Sequence, residues 1–297
     1  MTTYGATDLA DRSSEPERPR GAFQGSTYRT QIRPHHGLER LPLREIWDSR
    51  DLLGYLVWRD LRVRYRQTLL GAGWAILQPF LSMVVFTIFF GGLLKVPSQG
   101  LPYAVFSFSA LVPWNYFSSA LSGISGSLVG NAGLLTKVYF PRLLIPLGNM
   151  VARLADFGTA LLVVFALVAY YRLPLRVEML ILPLFLLLMM VCTLGVGLWL
   201  AAINVYYRDI QVLVPFVIQL WLFATPVVYP SSLVGSRWQV IYALNPMVAI
   251  IEGFRWALLG TPPPDLTLWI SVGFSLVLLV SGIAVFQRTQ RTMADVV

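Results

Sequence analysis

Charge is spaced so widely along this chain that it leaves long apolar runs. No charged residue lies between Arg66 and Lys95, nor again between Lys95 and Lys137, so apolar runs stand at about 69–94 and 103–129. A third run, about 143–171, holds Arg153 and Asp156 in its first half. The runs 179–207 and 210–229 are parted only by Arg208-Asp209, and 266–287 closes the series. Roughly 20 apolar residues in helical form cross a bilayer, and each run is of that order. The pattern predicts an all-α membrane protein with six transmembrane helices.

Two further stretches are helical in pattern without being spans. In 43–66, Leu43, Ile46, Trp47, Leu53, Leu56 and Val57 share one stripe, while Arg44, Glu45, Asp48, Arg59, Arg62 and Arg66 lie largely off it. A helix of that kind lies in the membrane interface, with Trp47 and Trp58 at headgroup depth. Between the fifth and sixth runs, 230–265 is apolar and aromatic but is broken by Asn245-Pro246. It reads as short helices at 237–244 and 246–259, neither long enough to span, dipping in from the outer face where protein shields their ends.

Of the 23 Lys and Arg residues, 18 fall on one side of a six-span arrangement, 12 of them ahead of the first run. The other side holds Lys95, Arg172, Arg176, Arg237 and Arg255. The positive-inside rule then puts both termini in the cytoplasm of an inner-membrane protein. The net charge of +8 reads as topology and attraction to anionic headgroups, not as a nucleic-acid surface. Residues 1–42 are polar, with no apolar stretch resembling a signal peptide, and are expected to form a disordered cytosolic extension. The membrane domain is expected at 43–290, with a cytosolic tail at 291–297.

The composition, 56% apolar and 13% charged, excludes a water-soluble globule and leaves little for catalysis. Cys192 is the single cysteine, and the two histidines, His35 and His36, sit in the polar extension; no metal site is expected. The two lysines, Lys95 and Lys137, follow Leu94 and Thr136, so the Gly-Lys-Ser/Thr of a phosphate-binding loop is missing. Glu178, Glu252 and Asp265 are the carboxylates on the outer side, too scattered for glycosyl chemistry. Arg153 with Asp156 and Glu252 with Arg255, each at i,i+3, read as local ion pairs that ease the burial of charge. Small residues at Ser119, Gly123 and Ser127, with Ser122 and Gly126 beside them, permit close helix approach within the chain or across a dimer. Trp74, Phe80, Trp114, Tyr116, Phe117, Trp221 and Phe223 are the aromatic candidates for a channel wall, since rings stack on the apolar faces of sugars.

Several blocks together carry a family resemblance. The run from Trp58 through Arg59, Asp60, Arg62, Arg64 and Arg66 to Gly71, continuing to Trp74 and Gln78-Pro79, resembles the approach to the first span of ABC-2 type polysaccharide export permeases. Leu134-Leu135-Thr136-Lys137-Val138-Tyr139-Phe140-Pro141-Arg142 is similar to their segment ahead of the third span. Asn204-Val205-Tyr206-Tyr207-Arg208-Asp209 and Asn245-Pro246-Met247 with Phe254-Arg255 match two more patterns, so the likeness spans about 58–290.

The resemblance implies a homodimeric channel driven by two copies of a separate ATPase subunit, which binds ATP and Mg; this chain holds no cofactor. It implies a cargo of polyprenyl-pyrophosphate-linked polysaccharide, of O-antigen, teichoic acid or galactan type. Trp58, Arg59, Arg62, Arg64 and Arg66 would receive the lipid pyrophosphate. Leu134, Leu135, Lys137, Val138, Tyr139, Phe140, Pro141 and Arg142 would couple to the ATPase, with Tyr139 and Phe140 as anchors. Trp238, Asn245, Pro246, Glu252 and Arg255 would belong to an outer gate. A drug or small-lipid exporter and an integral-membrane glycan-modifying enzyme are the competing readings.

Overall fold

The computed structural model of the protein describes residues 43–66, 73–135, 137–265 and 267–296. The expected extension 1–42, the first residues of the first run (69–72), Thr136, Leu266 and Val297 lie outside the described residues. The chain divides into Met1–Gly37 and a compact unit Leu38–Val297, and the described residues all fall in the second. Among them, regular structure is entirely helical.

The amphipathic stretch forms two helices, α1 (Leu43–Asp48) and α2 (Arg50–Tyr65), where the sequence predicts one. The break is at Ser49, whose φ of −95° and ψ of 18° leave the helical well. The first run is α3 (Gly73–Phe86), with Pro79 inside it, and continues as a π-helical stretch at Thr87–Leu93. There Leu94 N donates to Phe89 O at 2.9 Å. A side chain at Gly91 would meet the Tyr103 ring at 2.9 Å, so glycine is what lets α4 begin against this turn.

Helix α4 (Tyr103–Gly130) runs through the middle of the unit, packed by α3, α6, α7, α8, α9 and α11. Its 28 residues rise about 42 Å at ~1.5 Å each, enough to cross a bilayer. It is nonetheless less apolar than a lipid-facing helix, because it is buried in protein and carries hydroxyls. Those hydroxyls stay satisfied: Ser109 Oγ donates to Phe106 O at 2.9 Å and Ser127 Oγ to Ile124 O at 2.8 Å, the back-bonding that buried helices allow.

After the short α5 (Ala132–Leu135), the third run appears as two helices, α6 (Leu144–Ala152) and α7 (Leu154–Tyr170), stepped at Arg153. The fourth is α8 (Leu182–Tyr206), entered through a 3-10 turn at Val177–Ile181. The fifth run is shorter than expected: α9 (Ile210–Phe223) has 14 residues, about 21 Å long. It stops because Pro226 lacks an amide hydrogen and restricts Thr225 before it. Helices α10 (Gln239–Ala243) and α11 (Pro246–Leu259) match the expected outer pieces. Asn245 caps α11 by accepting from Met247 N, and Gly260 ends it at φ 70°. Helix α12 (Thr267–Val296) outruns the expected end at 287.

Among the described residues, four helical segments are long and apolar enough to cross a membrane: Ile76–Leu93, Leu144–Tyr170, Val177–Tyr206 and Leu268–Gln290. The sequence expectation of six adds α4, whose serines suit an interior position, and α9, which is short.

Helices α8 and α12 cross at close range. A Cβ at Gly195 would lie 2.6 Å from Leu279 N, and one at Gly282 would lie 2.4 Å from Gly195 O. Backbone thus faces backbone, and Trp199 Nε1 donates to Ser281 Oγ at 3.0 Å alongside. Small residues that admit this approach are what membrane helices use in place of a hydrophobic drive.

Candidate functional site

The two ends of α4 organise two sets of candidate residues. Past its C-terminal end, Leu134 and Leu135 lie on α5, and Lys137, Val138 and Tyr139 follow as an exposed non-helical segment. Tyr139 is 91% exposed. Phe140, one residue on, is buried with Leu56 of α2 and with Leu144 and Ile145 of α6, and Leu53, Leu134 and Leu135 pack against this small core. Phe140 is therefore an internal anchor, not an outward-facing one as the sequence suggests. Pro141 is half-buried and leads into α6. Arg142 also turns inward, donating through Nη1 to the carbonyl of Gln290 on α12. A groove of about 270 Å³ follows the segment from Leu135 to Arg142.

On α2, Trp58 and Arg62 stack, with the guanidinium 4.4 Å from the ring centroid, and both are exposed. Arg59 pairs with Asp60 at 2.8 Å, and Arg66 is exposed. Arg64 is committed elsewhere: it pairs with Asp156 of α7, whose carboxylate also accepts from Tyr65 Oη. The local Arg153–Asp156 pair expected from sequence does not form. Asp156 serves residues 91 and 92 positions earlier, while buried Arg153 Nε and the Asn149 amide oxygen have no hydrogen-bond partner. Nothing in the local spacing signals this long-range tie. Asp156→Ala would leave Arg64 without its counter-charge and Tyr65 Oη without its acceptor. The loss expected is on the order of 1–3 kcal/mol, read as a lower unfolding midpoint in detergent, with Tyr65→Phe costing less.

Around these groups lies a cavity of about 240 Å³ between α2, α3, α4 and α7, bordered by Trp74, Gln78, Asn115, Ser119, Arg153 and Asp156 among others. Of the aromatic candidates, Trp74, Phe80 and Phe223 are exposed and Trp221 is half-buried. Trp114, Tyr116 and Phe117 lie in the interior of the chain. Phe117 meets the Trp221 ring edge-on at 5.1 Å, and Tyr116 meets Phe157 at 5.7 Å while its hydroxyl donates to Met150 O at 3.3 Å. Tyr116 and Phe117 thus join α4 to α6, α7 and α9, and Trp114 packs on Phe117 at 5.5 Å.

At the N-terminal end of α4, Arg255 of α11 is buried and stacks 3.7 Å from the Phe106 ring centroid. Its guanidinium donates to three backbone carbonyls, Val227 at 2.7 Å and Phe106 and Tyr229 at 3.4 Å. The expected Glu252–Arg255 ion pair does not form either; backbone carbonyls of α4 and of the segment after α9 take the guanidinium instead. Asn245 is the second knot: it accepts from Trp221 Nε1 at 3.0 Å and donates to Ala224 O and Thr225 Oγ1. Pro246 is buried at the first turn of α11 and Trp238 is exposed.

Burial pushes the Glu252 carboxyl up to about 7, with Arg255 pulling down and Asp265 adding to the rise. The native state thus holds this proton more tightly than the unfolded chain does. Stability from it is complete below the ordinary glutamate value near ~4.3 and is lost as pH rises through about 7. Thermal midpoints measured from about pH 5 to about pH 8 should fall in the natural protein and fall less in Glu252→Gln.

The chain matches the family model described as ABC-2 type transporter over residues 51–259. It is 34% identical to the O-antigen export system permease protein RfbA of Myxococcus xanthus over 257 residues, 85% of this chain and 98% of that one. It is 28% identical to the protein of the same name from Klebsiella pneumoniae, over 83% of this chain and 95% of that one. The polysialic acid transport protein KpsM of Escherichia coli is 24% identical over 80% of this chain and 93% of its own length.

Proposed function

Because this chain belongs to the ABC-2 type transporter family, we propose that it is the membrane subunit of an ABC exporter that moves a polysaccharide across the cytoplasmic membrane. Its cargo is a glycan on a polyprenyl pyrophosphate, of O-antigen, teichoic acid or galactan type. The reading is carried by likeness to O-antigen export permeases along nearly their whole length. The missing phosphate-binding loop agrees with an engine on a separate subunit, two copies of which would bind ATP and Mg beside a homodimer of this chain.

In this reading the four apolar helices are joined by α4 and α9 to make six spans, with both termini in the cytoplasm. Helices α1 and α2 lie in the inner interface, and α10 and α11 form the outer gate. The exposed segment Lys137–Val138–Tyr139 docks on the ATPase. Support comes from its position: Phe140 fastens it to α2 and α6, and Arg142 fastens it to α12, so a push on Tyr139 reaches three helices. ATP-driven closure of the engine would shift this segment, and the spans around Pro79, Pro113 and Pro226 would change tilt to open a path. Such transmission requires that the segment contact the engine differently in its nucleotide states. Exposed Trp74, Phe80 and Phe223 are the rings available to a passing glycan, with Trp114, Tyr116 and Phe117 as the wall behind them.

Depletion of the protein tests the reading. Mass spectrometry should find a polyprenyl-pyrophosphate-linked glycan accumulating on the inner side of the membrane; accumulation of a small amphiphile with no glycan would reject it.

A further inference from the structure

Charge around the cavity between α2, α3, α4 and α7 does not balance. Three carboxylates lie on the adjoining helices: Asp51 is exposed at the start of α2, Asp156 is held by Arg64 and Tyr65, and Asp60 is paired with Arg59 at 2.8 Å and reaches Arg153 only as a nearby charge. Arg153 is left over. It borders the cavity, its Nε is buried with no partner, and its guanidinium lies against Gly123, where a Cβ would stand 3.0 Å from Nη2. A half-buried arginine that forms no ion pair and whose buried Nε has no hydrogen-bond partner is costly. It persists when something outside the chain supplies the anion.

The cavity holds the room of about eight waters, and the amides of Gln78 and Asn115 border it with further donors. It also has a direction. Trp74 and Gln78 belong as well to a second groove of about 360 Å³ that follows α3 past Leu81 and Val85 to Phe86. That groove is largely apolar. A ligand occupying both would be anionic at one end and hydrocarbon at the other.

We propose that Arg153 is the receptor for the phosphate or pyrophosphate headgroup of an amphiphile whose apolar chain lies in the groove along α3. Guanidinium matches phosphate oxygens in a fork of parallel hydrogen bonds. Arg64 also borders the cavity, its charge offset by the Asp156 carboxylate it holds, so the unpaired charge at the site is that of Arg153. The exposed arginines of α2 attract the headgroup, while Arg153 seats it. This rests on the lipid-linked cargo proposed above and names the side chain that recognises its charged end.

The test uses the full chain in lipid nanodiscs with three probes: a polyprenyl pyrophosphate, the matching polyprenyl alcohol and inorganic pyrophosphate. The lipid pyrophosphate should bind at least about tenfold more tightly than the alcohol, and Arg153→Gln should erase that preference. Arg237→Gln, exposed and remote, should preserve it. Arg153→Gln should also raise the thermal midpoint of the ligand-free protein, because it removes an uncompensated charge; an arginine that merely holds the fold would lower it. A lowered midpoint, an unfolded variant, or an unchanged lipid preference in folded Arg153→Gln overturns the site. Inorganic pyrophosphate binding as tightly as the lipid, through Arg153, would support the anion site but overturn the groove as the seat of a hydrocarbon chain. The glycan that accumulates on depletion decides the cargo independently of any of these outcomes.

Discussion

Tyr139→Ala is expected to abolish export while leaving a folded protein that still assembles with its ATPase. The side chain is 91% exposed, so its loss removes nothing from the core and takes away the ring through which the segment would follow the ATPase's movement. Basal ATP hydrolysis by the complex should persist, and its stimulation by cargo should vanish. Phe140→Ala must behave differently. Its ring is buried against Leu56, Leu144 and Ile145, and emptying such a site costs about 3–5 kcal/mol. That variant should lose unfolding midpoint first and export as a consequence. Export with cargo-stimulated hydrolysis intact in Tyr139→Ala would remove this residue from the coupling path.

Gly282→Val is expected to cost the protein most of its folded population. Added atoms at Gly282 meet the carbonyl oxygen of Gly195 at 2.4 Å, and atoms added at Gly195 meet the backbone of Leu278 and Leu279. No rotamer relieves a clash with backbone, so α8 and α12 must separate. Overpacking typically costs about 1–3 kcal/mol where neighbours can move, and here they cannot move without losing the Trp199–Ser281 hydrogen bond. Unfolding midpoints in detergent should drop sharply for Gly282→Val and for Gly195→Val. At Gly126, inside α4 and where a Cβ meets nothing within 4 Å, alanine should not lower the midpoint and should raise it slightly, because glycine inside a helix costs about 0.5–1 kcal/mol relative to alanine.

The contrast between these positions shows what a sequence can and cannot convey. Exclusion of charge from a bilayer is a one-dimensional signal, so the apolar runs and the short helices on either side of Asn245 are legible from residue order alone. Burial within the bundle is not. Ser107, Ser109, Ser125 and Ser127 mark α4 as interior only once its neighbours are in place around it. The seam through Ser119, Gly123 and Ser127 divides for the same reason: Gly123 abuts Asn149 and Arg153, whereas Gly126 opens onto space.

Pairing of charge is the least legible feature. An i,i+3 spacing suggests that Arg153 meets Asp156 and that Glu252 meets Arg255. Low dielectric makes every buried charge seek its best available partner, wherever the fold supplies one. Asp156 finds Arg64 and Tyr65 on α2, and Arg255 finds the carbonyls of Phe106, Val227 and Tyr229. Likewise, the order Tyr139-Phe140 gives no hint of which ring turns inward, since an extended segment alternates its sides and either register is open until α2 covers one of them.

Reconstitution into sealed vesicles tests the central claim most directly, with lipid-linked polysaccharide supplied on the outer leaflet and the protein oriented with its termini outward. Transfer of the glycan to the vesicle interior should require ATP, this chain and its ATPase subunit together, and this chain alone should hydrolyse no ATP. Transfer or hydrolysis by the isolated polypeptide would contradict the account.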